Sequence, residues 1–204
     1  MTSKCQSDGP FAALEEAPDE LLVEKVRARN GAAFRVLVSR HREAVSVIAT
    51  NMCSKISDAE HVLQQTFLQV WRDARECPPD ASFKTWIYRI AMKTALAQEP
   101  LEAAGFPWLL ATLLPTFDPA GRLASNEGRW RDIEGKRWED VQIRGLLREV
   151  LECFEARPRA AFVLRDLLEL SPDEAAAALE TTPAVIIRQA HRVRLLLRGF
   201  IDRL

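Results

Sequence analysis

Residues 146–200 read LLREVLECFEARPRAAFVLRDLLELSPDEAAAALETTPAVIIRQAHRVRLLLRGF, and the order of signals in this stretch decides the fold. Leu146, Leu147, Val150, Leu151 and Phe154 form one apolar stripe at helical spacing, and Ala160, Phe162, Val163, Leu164 and Leu167 form another. Ser171-Pro172-Asp173-Glu174 then opens a new helix. Serine caps free N–H groups, proline suits the first turn, and acids sit at the positive end of the helix dipole. The helix it opens is short, Ala175 to Leu179, and Thr181-Thr182-Pro183 starts a long one that runs through Arg198. A short helix, a tight turn and a longer basic helix make a helix-turn-helix arrangement.

The last helix divides by face. Ile186, Ala190, Val193 and Leu197 share one side, while Arg188, Gln189, His191, Arg192, Arg194 and Arg198 supply the other. A recognition helix needs an apolar back for its own domain and a front of donors for phosphates and guanine edges. Between Arg188 and Arg198 there are four arginines and no acid, whereas Ser171 to Glu180 holds three acids and no base. With a net charge of −1 over 204 residues, this is a directed basic patch on a near-neutral chain.

Working back toward the N-terminus, residues 1–18 are small, polar and proline-bearing and read as a loose tail. From Asp19 the apolar residues recur at three- and four-residue steps, interrupted at Asn30-Gly31, a helix stop and restart. A second long helix is expected to run to about Asn51, and Ser57 with Glu60 three residues on matches a capping box. In the helix from Ala59 to Ala74, the core stripe is Ala59, Leu63, Thr66, Phe67, Val70 and Ala74. Beside it lies a mixed flank of Glu60, Gln64, Leu68 and Trp71. Two prolines break the chain at 78 and 79, and a further helix carries Phe83, Trp86, Ile87, Ile90 and Ala91 to about Gln98.

Residues 99–140 are punctuated by proline and glycine and read as a linker, though one too apolar (Phe106, Trp108, Leu109, Phe117, Trp130, Trp138) for a free tether. The expected architecture is therefore all-α: a tail (1–18), a helical domain (19–98), a partly structured linker (99–140) and a helix-turn-helix domain (141–204). Few glycines, one tyrosine and abundant Ala, Leu, Arg and Glu agree with it. No apolar run reaches the ~18 residues needed to span a bilayer, and the N-terminus lacks a secretory pattern. Four cysteines without a CxxC pair are expected to be reduced thiols in the cytoplasm.

The stretch 146–200 resembles the carboxy-terminal domain of extracytoplasmic-function (ECF) sigma factors: a Phe-Val-Leu-Arg helix, a Leu-Ser-x-x-Glu start and a helix ending His-Arg-x-Arg. DAEHVLQQTFLQVWRD (58–73) resembles the family's polymerase-binding segment and SFKTWIYRIAMKTAL (82–96) its promoter-melting helix. The resemblance implies an alternative sigma factor with two partners, core RNA polymerase and promoter DNA, and no cofactor. Its family commonly adds a third, an anti-sigma factor covering both domains. It implies that Glu60, Gln64, Leu68 and Trp71 dock a coiled coil of the largest polymerase subunit. The proline-broken loop before Lys84 would capture an unstacked promoter base, with Lys84, Arg89 and Lys93 on the backbone. Relatives usually continue the melting helix with an Asn, an Asp and paired arginines, where this chain has Lys93, Ala97, Pro100 and Leu101. Glu180 stands where a turn glycine is common, and Ala175 and Ala178 replace larger apolar residues.

Other classes find less support. There is no GxxxxGK[ST], GxGxxG, HExxH or GxSxG, so no enzyme is expected. His61 with Cys53 makes at most half a metal site. A polymerase-independent helix-turn-helix regulator, or a pseudo-sigma protein that only binds partners, is the alternative; the sequence shows no dimerisation heptad to favour the regulator.

Overall fold

The computed structural model describes residues 10–79, 82–98, 148 and 150–201, and among them every regular element is helical. The linker read over 99–140, with its apolar residues, lies outside the described residues, as do residues 1–9 and 141–147. The first group of helices is α1 (Pro10–Glu15), α2 (Asp19–Arg27), α3 (Gly31–Met52), α4 (Ile56–Arg72) and α5 (Phe83–Gln98), with a 3₁₀ turn Ala74–Glu76 after α4. The second is α6 (Ala156–Phe162), which continues into a π-helical turn Val163–Leu167, then α7 (Pro172–Ala178) and α8 (Pro183–Ile201). α7 and α8 are the helix-turn-helix that the Ser-Pro-Asp-Glu start announced. Ser171 Oγ accepts from the Glu174 N–H at 3.2 Å, and the Glu174 carboxylate accepts from the Ser171 N–H at 2.8 Å, a complete capping box.

Several local readings are corrected. Pro10–Glu15, inside the expected loose tail, is helical and packs on α3; Leu14 gives the turn something to bury. Helix α4 starts at Ile56, so Ser57 lies inside its first turn and its hydroxyl donates to Asp58 instead of closing a capping box with Glu60. The Lys55 carbonyl already accepts from the Ala59 N–H at 3.1 Å, which opens the helical ladder before serine can cap it. The stop and restart expected at Asn30-Gly31 is present, and the left-handed residue of this α2–α3 corner is Arg29 (φ 63°). The Asn30 N–H donates to the Lys25 carbonyl and the Arg29 N–H to that of Val26, a Schellman end; Asn30 then caps α3 by accepting from Ala32 and Ala33. Glu169 (φ 54°) and Glu180 (φ 51°) are left-handed at the ends of the π turn and α7.

The first core forms where α2, α3, α4 and α5 meet, around Leu22, Leu37, Ile48, Met52, Val62 and Ile87. Each fully buried aliphatic side chain contributes about 1.5–3 kcal/mol, so this cluster outweighs the surface ion pairs. Of the stripe expected on α4, Ala59, Thr66 and Val70 are buried, Leu63 and Phe67 only half-buried, and Val62 joins the core instead. Ala74 is buried but belongs to the 3₁₀ turn. A second core holds Val150, Leu151, Phe154, Phe162, Val193, Leu196 and Leu197. The predicted apolar back of the last helix, Ile186, Ala190, Val193 and Leu197, is buried throughout.

The two groups of helices touch. The first apolar cluster continues into Ala160, Ala161, Val163, Leu164, Leu170, Ala175, Ala176 and Ala178, with α7 packed on α5 and α6 with its π turn on α3. Arg148 donates to the carbonyls of Cys53 (3.2 Å) and Ser54 (3.3 Å) at the α3–α4 corner. Helix α5 is consequently buried on two flanks: Phe83, Ile87, Ile90 and Ala91 on one, Tyr88, Met92 and Ala95 on another.

Candidate functional site

The flank read on α4 borders an apolar groove lined by Gly31, Phe34, Gln64, Phe67, Leu68 and Trp71. Gln64 is exposed at its edge, Leu68 is 58% exposed, and Trp71 is half-buried. Glu60 sits in the adjoining depression with Val38, Arg42, Leu63, Gln64 and Phe67, so all four predicted residues lie along one surface between α3 and α4. A Leu held this open beside an indole is what a helix-on-helix contact uses. Two residues that the pattern did not reveal hold the tryptophan. The Phe34 ring lies 5.0 Å from it, tilted by 58°, and the Arg29 guanidinium lies 5.5 Å from its centroid while donating to the Trp71 carbonyl at 2.9 Å.

Arg27 does similar work next door. Its Nε donates to the Ala74 carbonyl (3.2 Å) and its Nη2 to that of Cys77 (2.7 Å), spanning the turn that follows α4. Helix C-termini leave carbonyls without partners, and here Arg27 at the end of α2 and Arg29 just beyond it supply the donors. The signal for this was the basic end of α2, Lys25 to Arg29, but nothing in one sequence says which carbonyls it will meet. A small depression beside the turn is lined by Glu20, Glu24, Arg27, Cys77, Pro79 and Phe83 among others. The Arg72 guanidinium bonds Asp73 at 2.7 Å and holds its carboxyl below the usual range.

On α5, Arg89 and Lys93 lie one turn apart on one face, Lys93 exposed and Arg89 partly so. Lys84 lies on another face, 6.0 Å from the Tyr88 ring centroid. Trp86 is 5% exposed and belongs to the core. Beneath the start of α5, Asp19 accepts from His41 (2.6 Å) and Arg40 (2.7 Å), and the His41 ring meets Phe83 edge-on at 5.1 Å. The hydrogen bond from His41, reinforced by Arg40, holds the Asp19 carboxyl below the ordinary range although burial opposes it.

On α8, Arg188, His191 and Arg192 are exposed on one face together with Ile187, which is 53% exposed, and Gln189 lies half-buried at the side. Arg194 behaves differently. Its Nε and Nη2 bond the two carboxylate oxygens of Asp166 at 2.7 and 3.2 Å, tying α8 to the π turn. Arg198 lies on the same helix, but its side chain is outside the described residues. His61 is exposed and Cys53 buried, and no cluster of three metal-ligating side chains exists among the described residues. Nor is any described helix long and apolar enough to cross a membrane.

Residues 37–98 match the family model for sigma-70 region 2. The ECF RNA polymerase sigma-E factors of Escherichia coli K12 and Salmonella typhimurium LT2 are each 28% identical over 187 residues, 88% of this chain and 92% of theirs. The Haemophilus influenzae sigma-E factor is 36% identical over 81 residues, 40% of this chain and 42% of that protein. Among solved structures, CnrH in complex with the cytosolic domain of CnrY superimposes with a TM-score of 0.63 at 22% identity, covering 91% of this chain and 97% of CnrH. That likeness establishes the fold. Residues 37–98 therefore carry a sigma-70 region 2 match, and the chain is similar over most of its length to ECF RNA polymerase sigma-E factors.

Proposed function

We propose that this chain is an alternative sigma factor that directs bacterial core RNA polymerase to specific promoters, acting in the cytoplasm as a regulatory subunit and not as an enzyme. The observation that carries the reading is the apolar groove between α3 and α4, with Leu68 and Trp71 at its rim. A helix-turn-helix regulator has no use for such a surface, whereas a subunit that must grip a coiled coil does. In this reading the helices of 19–98 bind polymerase and open DNA, and those of 141–204 read the upstream promoter element. Glu60, Gln64, Leu68 and Trp71 meet the polymerase; Lys84, Arg89 and Lys93 meet the melted element; Arg188, His191 and Arg192 lead the readout of the upstream one, with Gln189 and Arg198 alongside. Arg194 is the exception: its bond to Asp166 supports a scaffold role. A protein partner comparable to the cytosolic domain of CnrY, bound in the CnrH complex, is the third expected partner.

The test is run-off transcription by core RNA polymerase, with and without this protein, on the DNA upstream of its own gene. Discrete transcripts that depend on the protein are expected. No transcript, together with failure to co-purify with core enzyme, would overturn the reading.

A further inference from the structure

Helix α8 changes character along its length. Pro183–Ile201 contains no Asp or Glu, and its basic side chains begin only at Arg188. Thr181 to Ile187, the turn and the start of the helix, hold no ionisable residue. Ile186 is buried and Val185 half-buried, so this tip shows solvent Thr182, Ala184 and Ile187. Ile187 is 53% exposed. Ala184 lies three residues before it and His191 four after, so the three share one row; Arg188 and Arg192 form the next. Helix formation does not call for isoleucine here, because at an exposed helical site a β-branched side chain is a poorer choice than Ala, Arg or Lys. A single exposed isoleucine is ordinary on a protein surface. The setting of this one is not, since it tips a helix without acids, and the nearest acid in the chain, Glu180, is turned to Arg89 at 3.9 Å. A protein face that covered Ile187 would have to meet Arg188, His191 and Arg192 as well. DNA meets both needs, with phosphates for the cations and base edges between them.

Recognition helices set their N-terminal residues on base edges, and Ile187 is the fifth residue of α8. In the major groove of unmodified DNA those edges carry hydrogen-bonding groups, and thymine alone adds an apolar one, its C5 methyl. We propose that Ile187 is a specificity-determining residue that packs on the C5 methyl of a thymine in the upstream promoter element. The contact removes two apolar surfaces from water. It also rejects cytosine and adenine, whose amino groups would lose water against isoleucine without gaining an acceptor. A basic side chain at the same place would select guanine instead. This rests on the sigma reading for the element that α8 meets, but the apolar tip itself does not.

Core RNA polymerase carrying the full chain, and the full chain alone, each select from a random double-stranded DNA library. The wild-type protein is compared with Ile187→Ala and Ile187→Lys, and with Leu21→Ala, which removes an exposed aliphatic side chain from α2. The wild-type protein is expected to enrich an element with an invariant thymine. Ile187→Ala should tolerate any base there, Ile187→Lys should prefer guanine, and Leu21→Ala should return the wild-type element. Replacing that thymine by deoxyuridine, which lacks only the methyl, should weaken wild-type binding about three- to tenfold and leave Ile187→Ala unaffected. Circular dichroism checks the fold of both variants; if one misfolds, the other decides together with the deoxyuridine series. The same invariant thymine kept by Ile187→Ala, or deoxyuridine without effect at every enriched thymine, would overturn the proposal. So would an Ile187→Ala that keeps the wild-type element and loses affinity for core, since Ile187 would then be a protein contact. An element selected without regard to Ile187 by a protein that binds core refutes the methyl contact alone. A thymine that depends on Ile187, selected by a free chain that neither binds core nor supports transcription, refutes the sigma reading alone. No enriched element in either selection overturns both.

Discussion

Replacing Arg194 by alanine removes both hydrogen bonds to Asp166 and leaves that carboxylate without its partner. The side chains are 38% and 24% exposed, between the regimes of a surface pair and a buried one. Exposed pairs are worth about 0.2–1 kcal/mol and hydrogen bonds to charged groups about 1.5–3 kcal/mol. Screening by the solvent that reaches Arg194 brings the coupling to about 1 kcal/mol, and the stranded Asp166 raises the cost of the single substitution to about 1–2 kcal/mol. In a chain of this size that lowers Tm by about 2–8 °C. Arg194→Lys keeps the charge but cannot fork onto both oxygens, so it recovers at most about half the loss. The assay is a double-mutant cycle with Asp166→Ala in urea, repeated in high salt, alongside promoter-DNA affinity as a function of salt. A scaffold pair gives coupling near 1 kcal/mol and an unchanged DNA salt slope. No coupling, with a salt slope reduced by about one in Arg194→Ala, would refute the reasoning and return Arg194 to the DNA face.

The exposed bases of α8 should behave in the opposite way: Arg188→Ala and Arg192→Ala each weaken upstream-element binding by about 1–3 kcal/mol at unchanged Tm, and unchanged affinity would remove them from the interface. Trp71→Ala and Leu68→Ala should lower core-polymerase affinity by about tenfold or more, read by surface plasmon resonance, with no effect on binding of the isolated upstream element. Glu169, exposed and left-handed, should gain about 0.5–1 kcal/mol on replacement by glycine, seen as a higher urea midpoint; a loss would show that its side chain has a partner in solution. The Asp19 carboxyl titrates lower when folded than when unfolded, so its contribution is fully present above the ordinary carboxylate pKa of about 3.9. That contribution should disappear as pH falls through the depressed folded value, and Asp19→Asn should flatten urea stability against pH in this acid range only.

Much of the scaffold was legible because it rests on periodicity and caps. Ile186, Ala190, Val193 and Leu197 recur at helical spacing and are buried, and Ser-Pro-Asp-Glu at 171–174 starts the helix it announced. The Ser57 reading failed because a cap motif specifies a local option and not the register: the ladder had already opened at Lys55. Asn30-Gly31 marked the stop and restart correctly, while the left-handed Arg29 carries no signal of its own, since a Schellman end fixes the position after the cap whatever its side chain. Among the candidate site residues, the α4 flank was visible as a stripe. The partners of Arg27, Arg29 and Arg194 were not, because they lie 28 to 50 residues away in sequence and depend on how helices pack. The same holds for α7 on α5. Ala175 and Ala178 stood out as small, but smallness alone does not name the surface that exploits it.

Arg27 at the end of α2 and Arg29 in the corner after it have one more consequence. Between them they fix the carbonyls of Trp71, Ala74 and Cys77, one by its backbone end and two across the turn. The chain between α4 and α5 therefore begins as a rigid shelf, and its first residues lose their conformational freedom when the protein folds, not when it meets a partner. A ligand arriving there spends little of its binding free energy on ordering that half of the loop, so affinity reflects fit more than rearrangement. Loosening the shelf should then be felt as slower, weaker capture even where every contacting side chain is intact.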